Sequence, residues 1–304
     1  MNKKLISLLV AICLVVGMLP IMSIAENQCA ATAKIAIMKA NADNTVEVTE
    51  GGEAVYGKSV AFTGTTTKGT YTGYEFTKEG ASASDWNFKF EYPQGGTPTL
   101  TLKDAKLINM DDAGKNMFKD GTDTSAWTVV QSRNVVHPLK IVLQGQNEIK
   151  VDSFVRAASS DSNKFTAVTI TSENGGTLVG TVKTKGIQAK TNAGTNDTSV
   201  TLDKANIELT SIGTTAGYNP IYTENGSVTI KDSNLKFTTA AGTLNAIHVN
   251  GTGTISVEGS TLELTATGAA FNKVPTLGAN TTVVAGADAA SAVAADAAAL
   301  ATAK

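Results

Sequence analysis

Two cysteines, two histidines, two tryptophans and two arginines are all that this chain of 304 residues holds of these types. Cys13 lies in an N-terminal apolar run, so the rest of the chain carries only the thiol of Cys29, and no internal disulfide can hold the fold. The core must come from packing alone. With Arg133 and Arg156 as its only arginines and a formal net charge of −2, the chain has no clustered basic face of the kind phosphate binding requires, so nucleic acid is not expected as a partner. Past residue 25 no apolar run is long enough to cross a bilayer, and no membrane span is expected in the mature chain. Aromatic content is 6%, and Thr, Ser, Asn, Gly and Val, the residues of strands and turns, dominate.

What is present begins with an address. Lys3 and Lys4 precede an apolar run from Leu5 to Met22, and Ser23-Ile24-Ala25 offers small residues where a signal peptidase reads. Residues 1–25 are therefore read as a Sec signal peptide cleaved after Ala25, which makes the protein secreted, extracellular or displayed on the cell surface. Glu26-Asn27-Gln28 lacks the small and aliphatic residues of a lipoprotein site, so no lipid anchor is expected on Cys29.

The stretch from Asn225 to Gly268 contains one strand-and-turn unit twice. Ser227-Val228-Thr229-Ile230-Lys231-Asp232-Ser233-Asn234-Leu235-Lys236-Phe237 is followed by Thr254-Ile255-Ser256-Val257-Glu258-Gly259-Ser260-Thr261-Leu262-Glu263-Leu264, a step of 27 residues from Ile230 to Val257. Earlier copies lie around Leu202 and Leu102, and weaker ones around Leu143 and Ile170, giving marker steps of 41, 27, 32, 28 and 27. A second short strand recurs as Ile187-Gln188-Ala189, Ile221-Tyr222-Thr223 and Ile247-His248-Val249. Short strands at this period with no helical segment between them predict an all-β, single-stranded parallel β-helix (β-solenoid) of about six coils. A sandwich also gives short strands at regular spacing, but it does not require one turn chemistry to return. Here Ala105, Ala205, Ser233 and Ser260 form a column of small turn residues. Asp203, Lys231 and Glu258 would form an outward column of alternating charge, with Lys204 facing Asp232.

Residues 26–96 read as an irregular β region capping the solenoid, 97–284 as the β-helix domain, and 285–304 as a short Ala-rich tail with helix propensity from near Asp288. Thr281-Thr282-Val283-Val284 reads as a last strand. Trp86-Asn87-Phe88-Lys89-Phe90-Glu91-Tyr92 alternates aromatic and polar residues and suits a cap better than a sugar platform. Segments 111–136 and 153–164 read as loops leaving the scaffold, where function and tolerated insertion are both common. The chain stops after Lys304 without an obvious finish, which leaves a further portion open.

Catalytic chemistry is sparse. His137 precedes Pro138 and reads as a loop residue, and His248 reads as outward-facing on its strand. Asp and Glu alternate with Lys instead of clustering, no nucleophile elbow is present, and Gly251-Thr252-Gly253 lacks the spacing of a phosphate loop. No metal or other cofactor is expected from the residues. Aligning coils on Ile187, Ile221 and Ile247 places Gln188, Tyr222 and His248 in one outward row, with Lys190, Glu224 and Asn250 beside it. Thr184, Tyr218 and Leu244 precede that strand, together with Lys185, Asn219 and Asn245. Amides and aromatics at strand spacing can stack on sugar rings and bond hydroxyls, so Gln188, Tyr218, Asn219, Tyr222, Asn245 and His248 are the candidate ligand face. The competing reading is a ladder that serves stability alone.

The aromatic strand running into Thr99-Leu100-Thr101-Leu102-Lys103-Asp104-Ala105, the Tyr218-Asn219-Pro220-Ile221-Tyr222 segment and the tandem Val-Thr-Ile or Ile-Ser-Val coils carry a resemblance. Over roughly residues 85–284 the sequence resembles secreted bacterial carbohydrate-binding-domain-containing proteins, which are similar to the pectate-lyase-like right-handed parallel β-helix proteins. The resemblance implies a polysaccharide or cell-surface glycan as partner, and it alone brings in calcium. An enzyme of that kind would set an Arg or Lys base opposite acidic calcium ligands. Arg133 and Arg156 read instead as members of irregular loops, so the chain is expected to bind polysaccharide without turning it over. A structural spacer or adhesin contacting other cell-surface proteins stays open as the alternative, and a polysaccharide lyase or hydrolase as the third reading.

Overall fold

The computed structural model describes the backbone of strands between 34 and 92 and most of the chain from 97 to 303, other than 98, 109, 111–127, 134–137, 160–165, 192–197, 216, 241–243, 287–292 and 295. Residues 1–33, with Lys3, Lys4, Cys13, Ala25 and Cys29, and His137 lie outside the described residues.

The chain winds as a parallel β-solenoid with three strand faces per coil. Thr99–Lys103, Leu139–Gln144, Val168–Ser172, Ser199–Asp203, Ser227–Lys231, Ile255–Glu258 and Thr276–Leu277 build the first face. All neighbours in that series pair in parallel. The second face follows the turn, through Asn206–Ser211, Asn234–Thr239, Thr261–Thr265 and Thr282–Gly286. Gln146–Ser159 and Thr177–Thr191 are long enough to run from the second face onto the third, where Ile221–Glu224 and Ile247–Asn250 continue the stack. Five successive turns, opened by Thr99, Leu139, Val168, Ser199 and Ser227, carry strands on every face, the first through Lys106–Ile108 and Thr128–Arg133. That is one fewer than the six coils expected.

Alternation makes this possible. In Ser199-Val200-Thr201-Leu202-Asp203 the aliphatics point inward and are fully buried, while the polar residues remain half-exposed. Ile170, Leu202, Ile230 and Val257 stack as neighbouring Cα partners at 0–1% exposure. Each such side chain contributes about 1.5–3 kcal/mol by leaving water. Three such inner rows meet in one continuous core, which replaces the missing disulfides.

The structure corrects the register at one step. Ile141, not Leu143, is the partner of Ile170, a step of 29, while Leu143 faces Ser172. The third coil turns through a longer loop, Ser172 to Gly176, closed by Gly176 N–H to Glu173 O at 3.0 Å, and this excess hid the true spacing. The segments read as loops are also partly strand. Thr128–Arg133 pairs in parallel with the 153–158 part of Gln146–Ser159, so both Arg133 and Arg156 belong to the third face.

Small size is only half the reason for the turn column. Ala105 N–H donates to Asn147 Oδ1 at 3.0 Å, and Asn147 is 2% exposed, so a larger residue fits there. In the later coils Ala205 N–H donates to Ser233 Oγ, and Ser233 N–H to Ser260 Oγ, each at 3.0 Å. Each acceptor serves the buried N–H of the coil before it. Ala105 starts one such stack and Ala205 the other, next to the third-coil turn that closes on itself. The residue just before this position is left-handed in several coils, as at Asp104, Lys204 and Asp232, and Gly145 and Gly259 share the conformation. Asp203, Lys231 and Glu258 are in register as expected, yet among the described residues no salt bridge joins them. One ion pair that does form lies on the second face, Lys236 Nζ to Glu208 Oε1 at 3.2 Å.

Both ends are covered. At the N-terminal end Phe88–Tyr92 adds to Thr99–Lys103 in antiparallel fashion and Lys34–Ala40 adds to it in turn. On the third face Gly69–Tyr74 does the same to Thr128–Arg133, followed by Ser59–Gly64. An antiparallel layer ends a parallel stack without leaving its first strand unpaired. At the other end Val293–Ala294 pairs antiparallel with Thr282–Gly286, and a one-turn helix, Ala297–Leu300, is capped by Asp296 Oδ1 accepting from Ala299 N at 2.8 Å. The described helix starts after Asp296, and Asp288, the expected start, lies outside the described residues. Leu300, fully buried, fixes it to the core. Among the described residues, no helix is long and apolar enough to cross a membrane.

Candidate functional site

The third face brings the expected row together. Gln188, Tyr222 and His248 are successive Cα partners, as are Lys190, Glu224 and Asn250. Arg156 precedes Gln188 in the first row, a member that sequence reasoning missed. The signal was available, since Val155-Arg156-Ala157 has the same inward aliphatic and small residues as Ile187-Gln188-Ala189. The inward partners Val155, Ile187, Ile221 and Ile247 are all fully buried, which forces the residues between them outward.

The Tyr222 and His248 rings stack on each other, with centroids 5.4 Å apart and planes at 15°. The two ring faces are thus turned toward one another along the stack and present edges and heteroatoms outward. His248 is half-buried, not fully accessible. Its Nδ1 lies 3.0 Å from Asn245 Oδ1, and Asn245 Nδ2 donates to Ala269 O at 2.7 Å, which fixes the amide with its oxygen toward the ring. Nδ1 therefore carries the proton of the neutral imidazole and Nε2 is left as an acceptor. Burial, aided by the Lys273 ammonium, holds the His248 pKa below its ordinary value. Beside the rings, Lys190 Nζ pairs with Glu224 Oε2 at 2.8 Å, and the Tyr222 hydroxyl reaches the same oxygen at 3.5 Å. Burial, then the Glu224 charge, pushes the Tyr222 hydroxyl pKa up, so it remains a donor.

Other members of the expected face are placed differently. Gln188 and Asn219 are each 1% exposed, so neither stands on the surface. Asn219 Nδ2 donates to Asn245 O at 2.7 Å, the first rung of an asparagine ladder that Asn245 continues. That ladder is the stabilising arrangement weighed against a ligand. Tyr218 is half-buried and its carbonyl accepts from Ser211 Oγ at 2.6 Å, while Leu244 is buried. Lys185 shares the Asn219 column at the bend into the third face, half-buried, with its pKa lowered by burial, then by Arg156 and Lys190, against Glu224.

Chemically, this face offers hydrogen-bond donors and acceptors at strand spacing around a pair of rings. Among the described residues no group of three His, Cys, Asp or Glu side chains converges as a metal site would require. His248 bonds an amide and not a hydroxyl nucleophile. Of the described surface, a groove of about 270 Å³ lies elsewhere, on the second face, lined by Val179, Glu208, Asn234, Lys236 and Glu263 among others. Its Lys236 is held by Glu208 and its floor is regular sheet. Comparison of the chain with family models, with curated proteins and with solved structures returns no match.

Proposed function

We propose that this protein is a secreted, non-catalytic β-helix that binds polysaccharide or a cell-surface glycan on its third face. The observation that carries the reading is the Tyr222–His248 ring stack, half-exposed and flanked by the Lys190–Glu224 pair, in a row that repeats once per coil. A linear glycan presents hydroxyls at regular intervals, and such a row meets them with Tyr222 Oη, His248 Nε2, Glu224 and Asn250. Of the six residues first considered, Tyr218, Tyr222, Asn245 and His248 remain as surface contacts, and Gln188 and Asn219 support them from beneath. The N-terminal charge-then-apolar pattern through Ala25 supports export, which is where such a ligand is met. The resemblance of the sequence to carbohydrate-binding-domain-containing proteins agrees with this.

Glycan arrays and pull-down with insoluble polysaccharides test the proposal. The double variant Tyr222→Ala/His248→Ala should lose retention while its melting temperature stays close to that of the parent chain. Equal retention by the double variant would remove the site. Absence of any glycan binding, together with loss of a cell-surface protein contact when 111–136 is deleted, would favour the spacer or adhesin role.

A further inference from the structure

The second-face groove of about 270 Å³ runs along the stack over successive coils, from Thr177 to Glu263. Its floor is the backbone of inward residues such as Ile207 and Leu235, and its walls are two outward rows. Glu208, Lys236 and Glu263 are successive Cα partners in one wall, which begins with Val179, 46% exposed. Asn234 and Thr261 stand exposed in the other, and among the described residues their side chains enter no hydrogen bond.

The charged wall holds two carboxylates and one cation. Lys236 pairs with Glu208 at 3.2 Å, but both side chains are 47% exposed, so water competes for the pair. Glu263 forms no ion pair among the described residues. The groove therefore attracts positive charge. Neighbouring strands lie about 4.8 Å apart, so Glu208 and Glu263, two coils apart, recur at about 9.6 Å along it. A β-strand laid along the groove returns a side chain to the same side every ~6.7 Å, which does not match. An α-helix, about 10–12 Å across, is too wide for walls about 6.7 Å apart. A polyproline II segment, with three residues per turn and a rise of about 3.1 Å each, returns every ~9.3 Å. Its backbone has no internal hydrogen bonds, so it is open to the Asn234 amide and the Thr261 hydroxyl.

We propose that this groove docks a basic, proline-rich segment of a partner protein in the polyproline II conformation, with Lys or Arg at every third position set on Glu208 and Glu263 and a proline ring against Val179. The groove is separate from the third face, so the inference does not depend on glycan binding there.

Fluorescence anisotropy of labelled peptides with the full chain at low salt tests it. The probe is a peptide of four Lys-Pro-Pro triplets. The controls are the same residues with the lysines shuffled out of the three-residue register, four Lys-Gly-Gly triplets and four Glu-Pro-Pro triplets. The probe should bind at least about tenfold more tightly than any control and weaken with added salt. Glu263→Gln should reduce its affinity about two- to fivefold. Glu208→Gln/Glu263→Gln should bring it to the level of the controls, and Lys236→Gln, which removes the competing cation, should raise it. All three side chains are exposed, so melting temperatures should stay near that of the parent chain. Equal binding of the shuffled peptide would overturn the polyproline II register. Binding unchanged in the double variant would place the site elsewhere and overturn the groove, and no binding of the probe would overturn the proposal outright. A dimer in sedimentation that Glu263→Gln dissolves, or a polysaccharide that displaces the probe, would assign the groove to a different occupant and overturn the peptide.

Discussion

Ser233→Ala is the sharpest probe of how the turns are joined. The Ser233 hydroxyl accepts from Ala205 N–H at 3.0 Å and donates to Lys231 O at 2.6 Å, with the residue only 4% exposed. Alanine keeps the volume close and the fold intact, but it leaves the Ala205 N–H buried without an acceptor. That loss costs about 1–3 kcal/mol. For a domain of this size the corresponding fall in melting temperature is roughly 2–12 °C. Urea unfolding followed by circular dichroism, with Thr276→Ala, exposed at the end of the first-face row Thr201, Thr229, Ser256 and Thr276, as the baseline, gives the difference directly. Ser260→Ala should behave like Ser233→Ala, because its Oγ serves Ser233 N–H in the same way. Ala205→Ser should give no comparable gain, since the preceding turn already satisfies Gly176 N–H internally. If Ser233→Ala unfolds at the same urea concentration as the baseline variant, the side-chain ladder is not what joins these turns, and size alone explains the column.

Phe237→Ala removes a fully buried ring stacked between Leu209 and Leu264 on the inner second face, with an expected cost of about 3–5 kcal/mol read by the same unfolding assay. Gly259→Ala, at φ +60° and with its added carbon 2.3 Å from Asp232 Oδ1, should cost about 1–2 kcal/mol from the left-handed backbone, since the exposed Asp232 side chain can move aside. For His248 the folded pKa lies below the ordinary 6.5, so the unfolded chain binds the proton more readily. Its contribution is at full strength above the unfolded pKa and is lost as pH falls through that value toward the folded one. Thermal melts should therefore drop more steeply below about pH 6.5 in the parent chain than in His248→Gln, and an NMR titration of the ring should give a midpoint below 6.5.

Much of the scaffold was legible because a stacked coil imposes its period on the sequence. Ile230 and Val257, or Leu202 and Ile230, are Cα partners at the spacing their repeated turns indicate. Where a turn lengthens, that logic slips, as it did between Leu143 and Ile170. The third-face strand at 153–159 carries no turn signal to set it off, because it follows the second-face strand directly, the chain passing through a register shift near Val151 and Ser153. Of the candidate site, the row Gln188, Tyr222 and His248 was readable from strand alignment. Which members face solvent was not. Alternation assigns a side, but the burial of Gln188 and the inward ladder of Asn219 depend on what packs over them at the bend, which a linear pattern does not encode.

The third face is the surface proposed to meet glycan. Hydroxyl-radical footprinting of the full chain, with and without a saturating polysaccharide, reads side-chain protection face by face. Protection is expected at Tyr218, Tyr222 and His248, with Val179 and Val284 on the second face unchanged. Protection centred on the second-face groove, or none on Tyr222 and His248 at saturation, would contradict it.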